Sequence, residues 1–279
     1  MEQHPWSSKK MRRLGQCIRD NQEIPEGVPT YADVMLYFND LAIATQNQLM
    51  DLDWVSLLGD RTFEITSRPK TIDTLSQKLK RNRTTPLGNV QDIAGVRFEA
   101  EMSLDEQDAV VTAIAGLFDH DLESSIHDLR DSPHSGYRAV HLWLRFPARV
   151  EVQVRTHLQG MWANMYESAA DAMGRGIRYG EIPADKEERA VVTALHDLSA
   201  DIQIIEHERN QLEQLTLEVD SILREESTAD VEHPHRIEGL RLKVEELRGK
   251  LAVREDNMAK LCDTLRAQFV QEREARRGA

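Results

Sequence analysis

The chain has 279 residues with a formal net charge of −13, 30% charged and 40% hydrophobic, a length that accommodates one full core plus an appendage. Cys17 and Cys262 lie at opposite ends, which excludes a disulfide framework or a zinc site and fits a reducing cytoplasm. No apolar run approaches the ~18 residues of a membrane span, no apolar segment follows Lys9, Lys10, Arg12 and Arg13 to make a signal peptide, and the acidic balance leaves room only for a local nucleic-acid or phosphate site.

In chain order, Ser7 to Asp20 reads as a short basic helix, ended by Pro25, Gly27 and Pro29. A long amphipathic helix is predicted from about Tyr31 to Leu58, with Leu36, Leu41, Ile43 and Leu49 among its apolar positions. Thr62 to Thr66 alternates as a short strand. Thr71 to Arg83 follows as a basic helix whose buried stripe is Ile72, Leu75 and Leu79. After a turn at Pro86 to Asn89, the pattern predicts a strand at Gly95–Ala100 and a helix at Asp105–Phe118. Strands are expected at about Leu122–Asp128 and Arg138–Phe146, the second turning at Pro147-Ala148-Arg149 into Val150–Thr156 as a hairpin. A helix at His157–Met173 closes the unit before Gly174 to Pro183. The class is α+β, a mixed sheet of about five strands flanked by helices.

The last third differs. Leu195, Leu198, Ile202, Ile205, Leu212, Val219 and Leu223 keep a 3,4 spacing. After a break at Pro234 the spacing resumes at Ile237, Leu240, Val244, Leu247, Leu251, Met258, Leu261 and Leu265. Two such helices joined by a loop predict an antiparallel α-helical coiled-coil hairpin. It would bring Arg209 and Arg254 together, with compensating glutamates such as Glu206 or Glu208. The predicted organisation is a basic segment at 1–29, an α+β domain at 30–182 and the hairpin at 183–279, the last offering a surface for homo-oligomerisation or a protein partner.

Charge is uneven. Residues 68–83 carry Arg68, Lys70, Lys78, Lys80, Arg81 and Arg83 against Asp73 alone, whereas residues 183–279 hold 22 acids and 15 cations. Lys70, Thr74 and Lys78 recur every four residues, and Arg81 extends the same helix face, a stripe suited to a triphosphate. A solvated face would look the same in isolation. Asp92 sits where loop becomes strand, as well placed to cap a turn as to hold a metal. In Val150–Thr156 the valines alternate with Glu151, Gln153 and Arg155, so a carboxylate, an amide and a guanidinium share one face. Two acids beside a cationic helix meet the needs of Mg²⁺-dependent phosphoryl chemistry. Near Gly136, the ring of Tyr137 is available to stack on a base, and His141 follows four residues on.

Four segments in this order resemble the synthetase domain of the RelA/SpoT alarmone synthetases: Arg68-x-Lys70-x3-Thr74-x3-Lys78-x2-Arg81, Asp92-Ile93-Ala94-Gly95-Val96-Arg97, Gly136-Tyr137-Arg138-Ala139-Val140-His141, and Glu151-Val152-Gln153-Val154-Arg155-Thr156 with Trp162-Ala163. The resemblance spans about residues 30–180. It implies a nucleotidyltransferase-like sheet and transfer of pyrophosphate from ATP to a ribose 3′-hydroxyl, usually of GDP or GTP. It assigns Asp92 and Glu151 to Mg²⁺, with Glu151 also the base. Arg68 and Arg97 sandwich the adenine, and Lys70, Lys78 and Arg81 take the ATP phosphates. Tyr137 stacks on the acceptor base, with His141, Gln153 and Arg155 near the acceptor and the transferring phosphates.

The chain departs from the family at Pro133 and Ser135, where many members carry Lys and Asn before Gly-Tyr, and at Glu167, where a His commonly follows Trp-Ala. These positions leave the acceptor open. The absence of room for a preceding hydrolase domain makes the chain look like a small, stand-alone synthetase. A toxin-type relative that pyrophosphorylates the 3′ end of tRNA is the alternative, since the basic start Ser8-Lys9-Lys10-Met11-Arg12-Arg13 resembles that branch and suits an acceptor stem. A third reading is an inactive scaffold acting through its coiled coil, against which the intact Asp92, Glu151, Arg68 and Lys70 speak.

Overall fold

Residues 5–146, 148–226 and 234–278 are described by a computed structural model, leaving aside the side chains of Arg68, Pro69, Leu223, 225–226, 234–238 and 277–278. The chain divides into two units, residues 1–101, 109–128 and 140–155 in one, and 102–108, 129–139 and 156–279 in the other.

The first unit is built on a sheet of five strands, β1 (Phe63–Pro69), β2 (Ala94–Ala100), β3 (Ile126–Asp128), β4 (Val140–Arg145) and β5 (Arg149–Thr156, Thr156 itself lying in the other unit), in the order β1-β2-β5-β4-β3. β1 runs antiparallel to β2, and β3, β4 and β5 form an antiparallel meander in space. Period-2 alternation sends Val96 and Phe98 of β2, Leu142 and Leu144 of β4 and the three valines of β5 into the core. Arg97, Glu99, His141, Trp143, Glu151, Gln153 and Arg155 are thereby left on the opposite face.

Helix α1 (Ser8–Asp20) is capped by Ser7, whose hydroxyl accepts the Lys10 amide. α2 (Tyr31–Met50) opens with a capping box in which Thr30 and Asp33 satisfy each other's backbone amides. The helix expected to reach Leu58 ends at Met50. Trp54 turns back to donate its indole N–H to the Leu49 carbonyl at 2.7 Å, and a single turn, α3 (Val55–Leu58), follows. Leu41 and Leu49 are buried as expected, whereas Leu36 and Ile43 face solvent. α4 (Ile72–Arg81) starts at the Thr71 cap with Leu75 and Leu79 inside, but Ile72 is exposed on the first turn.

α1 packs on α4, and the Ser76 hydroxyl bonds the Ile18 carbonyl at 3.2 Å. Gly15 lets α1 approach the turn that follows α4, where a Cβ would meet the Leu87 Cβ at 2.9 Å. After α5 (Leu104–Leu117), the first half of the strand expected at Leu122–Asp128 is instead a helical turn, α6 (Leu122–Ser125). Asp121 caps it by accepting the Ser124 amide. The β4 strand begins at Val140, two residues later than expected. Pro147 of the predicted turn lies outside the described residues, while the Phe146 amide bonds the Ala148 carbonyl across it.

The second unit is helical: α7 (His157–Met173), α8 (Lys186–Glu226) and α9 (Pro234–Gly278). α8 and α9 pack antiparallel, as the pairs Arg248–Glu213, Arg254–Glu208, Arg209–Glu255 and Arg276–Glu188 require. Ion pairing around Arg209 and Arg254 is thus as expected, but Glu206 points inward. The core joins Leu158, Trp162, Met165 and Tyr166 of α7 to Leu195, Ile202 and Ile205 of α8 and to Leu251, Cys262 and Phe269 of α9. Along α9 the buried line passes through Cys262 and Phe269, and Leu240, Leu247 and Leu261 of the expected seam are exposed.

Within this unit a buried polar network stands on the N-terminus of α7. Thr156 caps the helix by accepting the Gln159 amide, and Gln159 returns the contact to the Thr156 amide. Glu206 accepts from both, from the Thr156 hydroxyl through a short bond and from the Gln159 amide at 3.0 Å. Burial drives the Glu206 carboxyl above its usual range, outweighing those donors and the positive charges of Arg138 and Arg130.

Candidate active site

The cationic helix meets the first acid directly. Lys70 Nζ lies 2.5 Å from Asp92 Oδ2 and Lys78 Nζ 2.7 Å from Asp92 Oδ1, so both carboxylate oxygens carry an ammonium group. The helical repeat explains the pincer, since Lys70 precedes the cap and Lys78 lies two turns on. Burial alone would raise the Asp92 pKa, but the two lysines overcome it and hold it at about 2. Thr74 is used locally, its hydroxyl donating to the Thr71 carbonyl at 2.9 Å. Arg81 is exposed at the last turn of the helix.

The second acid, Glu151, is only 7% exposed despite its charge. Its Oε1 accepts from Gln153 Nε2 at 2.8 Å and its Oε2 from the Trp143 indole at 3.2 Å, with His141 Nδ1 3.6 Å away. Burial pushes the Glu151 carboxyl up, as does the charge of Asp92. Bonding and charge from His141, with the Gln153 bond, prevail and hold it below its usual range. Arg155 continues the row: its NH2 donates to Gln153 Oε1 at 2.7 Å and its NH1 to Glu99 at 3.3 Å, fixing which way the Gln153 amide faces. On the outer strand, His127 lies opposite His141 in register and stacks on Trp143 with ring centroids 3.4 Å apart. Burial and neighbouring His141 lower the His127 pKa.

Asp92, Lys70, Lys78, Arg97, His141, Glu151, Gln153 and Arg155 therefore all belong to one unit, with the last five on one sheet face. The backbone of Arg68 pairs with Gly95 on the adjacent strand, and its side chain lies outside the described ones. Tyr137 belongs to the helical unit, where its half-buried ring packs beside the Trp162 core. It ends a two-residue turn in which Ser135 and Gly136 both adopt positive φ, 52° and 79°, and the Tyr137 amide bonds the His134 carbonyl. Glu167, at the position of the absent His, is paired with Arg178 at 3.2 Å. Trp143, His127 and Glu99 join the site without having been among its candidate residues. The Trp-Glu pairing was recoverable from hairpin register, since Trp143 and Glu151 are equidistant from the turn.

The five-strand sheet is the one expected of a RelA/SpoT-type synthetase domain, and the chain belongs to that family. Residues 67–171 match the family described as the region found in RelA / SpoT proteins. Uncharacterized proteins of Mycobacterium tuberculosis and Mycobacterium bovis are 46% identical over 214 residues, covering 73% of this chain and 76% of theirs. Among solved structures, the small alarmone synthetase 2 of Bacillus subtilis shares the fold, with a TM-score of 0.51 at 17% identity over 66% of this chain and 98% of that one. The small alarmone synthetase 1 of the same organism, bound to its product pppGpp, is 20% identical over 66% of this chain and 93% of that one, with a TM-score of 0.47. Among the described residues no helix is long and apolar enough to cross a membrane.

Proposed function

We propose that the protein is a pyrophosphokinase transferring the β,γ-pyrophosphate of ATP to the 3′-hydroxyl of GDP or GTP. The observation that carries this reading is the presence of two ionised carboxylates, half-buried Asp92 and buried Glu151, with the cationic stripe of α4 bonded to the first of them. The acids offer hard oxygen donors, each kept anionic by its neighbours, and so fit Mg²⁺. Bound to Asp92 and Glu151, Mg²⁺ would neutralise charge on the phosphate oxygens. Lys70 and Lys78, which balance Asp92 in the free protein, are the groups a triphosphate attracts, with Arg81 at the end of the stripe. Arg97 and Arg68, on neighbouring strands, are assigned to the adenine faces.

In the reaction, the acceptor 3′-oxygen forms a bond to the β-phosphorus and its proton passes to Glu151. The bond from that phosphorus to the α,β-bridging oxygen breaks, and AMP leaves with the electron pair. His141, Gln153 and Arg155 orient acceptor and carboxylate, and the ring of Tyr137 is assigned to the acceptor base. Incubation with ATP labelled in its γ-phosphate and GDP or GTP tests the reading, with Glu151→Gln as control. Labelled guanosine tetra- or pentaphosphate is expected from the wild type, with at least ~10³-fold less from the variant and the fold unchanged. Transfer by Glu151→Gln at the wild-type rate would sink it.

A second reading, transfer to the 3′ end of tRNA, is favoured by one specific feature. The cleft between α1 and the end of α4 is lined by Arg12, Arg83, Thr84 and Thr85, with Arg19 paired to Asp20 and with Leu79 and Leu87 beneath, a locally cationic surface on an acidic protein. Deacylated tRNA in the same assay separates the two, and label on tRNA alone excludes the guanosine acceptors.

A further inference from the structure

Glu151 is held from two directions by two uncharged donors. Gln153, on its own strand, reaches Oε1, and its amide is oriented by Arg155, which is in turn bonded to Glu99. Trp143, directly opposite on β4, reaches Oε2. The indole N–H is a donor only, so it can neither take the acceptor's proton nor compete for a metal. Each carboxylate oxygen keeps a second lone pair for substrate or cation. His127 lies tilted against the indole from the outer strand, and His141 Nδ1, 3.6 Å from Oε2, adds a longer ion-pair contact at the same oxygen. An aromatic residue half-buried on the polar face of the sheet, rather than in the valine core behind it, serves no packing need of that core.

We infer that Trp143 is a positioning residue for the transfer reaction, its indole N–H fixing the rotation of the Glu151 carboxylate so that the 3′-hydroxyl meets a correctly aimed oxygen. The inference rests on the reading of Glu151 as the base. Loss of the indole donor leaves the carboxylate charged and present but without its shortest contact at Oε2. The cost then falls on the chemical step rather than on ATP, whose phosphates are held by α4.

Trp143→Phe keeps an aromatic ring against His127 and removes the donor. With the full-length protein, γ-labelled ATP and whichever of GDP, GTP or deacylated tRNA takes the label, kcat is expected to fall about tenfold or more, KM for ATP staying within about twofold. In a Glu151→Gln background the same change should add nothing further. A kcat within about twofold of wild type, or a rise in KM for ATP at constant kcat, overturns the inference. A second measurement stands apart from activity and from folding of the Phe variant. In ¹H–¹⁵N spectra of the free protein, the Trp143 indole proton should move upfield in Glu151→Ala, and an unmoved resonance refutes the bond. Wild-type transfer by Glu151→Gln would remove the base itself, an outcome distinct from either failure.

Discussion

Replacing Asp92 by asparagine removes the one charge that two ammonium groups share. The fall of its pKa from an ordinary 3.8 to about 2 is the net of burial, which opposes ionisation, and the larger attraction of Lys70 and Lys78. A depression of that size corresponds to ~2–2.5 kcal/mol of folded-state stabilisation. Because the folded pKa is depressed, the contribution is present above the unfolded value and is lost as pH falls through about 2. At neutral pH Asp92→Asn should therefore cost ~2 kcal/mol in urea denaturation at constant m-value. With Lys78→Met already in place the same substitution should cost well under half as much, since one of its two partners is gone while burial still opposes the charge. A loss below ~0.5 kcal/mol in the otherwise wild-type protein, or the same loss in both backgrounds, would refute the view of Asp92 as an ion-paired hub, because exposed pairs alone contribute ~0.2–1 kcal/mol.

Two further outcomes concern the helical unit. Burial raises the Glu206 pKa, so its stabilising state is the protonated one, fully present below the ordinary value of 4.5 and lost as pH rises through the elevated folded value. Glu206→Gln, which keeps an acceptor for Gln159 and places an amide beside Thr156, should melt higher than wild type at about pH 8 and alike near pH 4.5, and a pH-independent gap would contradict it. Gly136→Ala adds a Cβ at a φ of 79° and 2.8 Å from the Trp162 ring, an expected loss of ~2–3 kcal/mol in thermal or urea unfolding.

Much of the site was legible because its signals are local. The β5 valines are all fully buried, as the alternation requires, and the lysine stripe needs only helical periodicity to reach one acid. What the sequence could not show was what each polar group would bond. Trp143 carried no signal of its own within the predicted strand, and its partnership with Glu151 exists only once the hairpin register is set. Glu206 read as a surface counter-ion, but the α7 capping box offers it two donors inside the unit while Glu208 and Glu255 serve the arginines. Ile72, Leu36 and Ile43 were assigned inward from hydrophobicity, although a helix buries a stripe and not every apolar residue near its edge. Leu122–Ser125 became a turn of helix through the Asp121 cap, a local hydrogen bond outweighing strand propensity over four residues.

The place of β5 within the sheet has a kinetic corollary. With β2 on one side and β4 on the other, its amides are closed on both edges, whereas β1 and β3 are the outer strands. Hydrogen exchange at Val150, Val152 and Val154 should accordingly proceed only through the largest openings of that unit, while β3, three residues long, frays first. The carboxylate, amide and guanidinium thus ride on the slowest-exchanging backbone of their unit, and the His127–Trp143 stack spans from there to its loosest edge. Fraying from β3 would therefore reach the Glu151 side chain through Trp143 before it reached the β5 backbone.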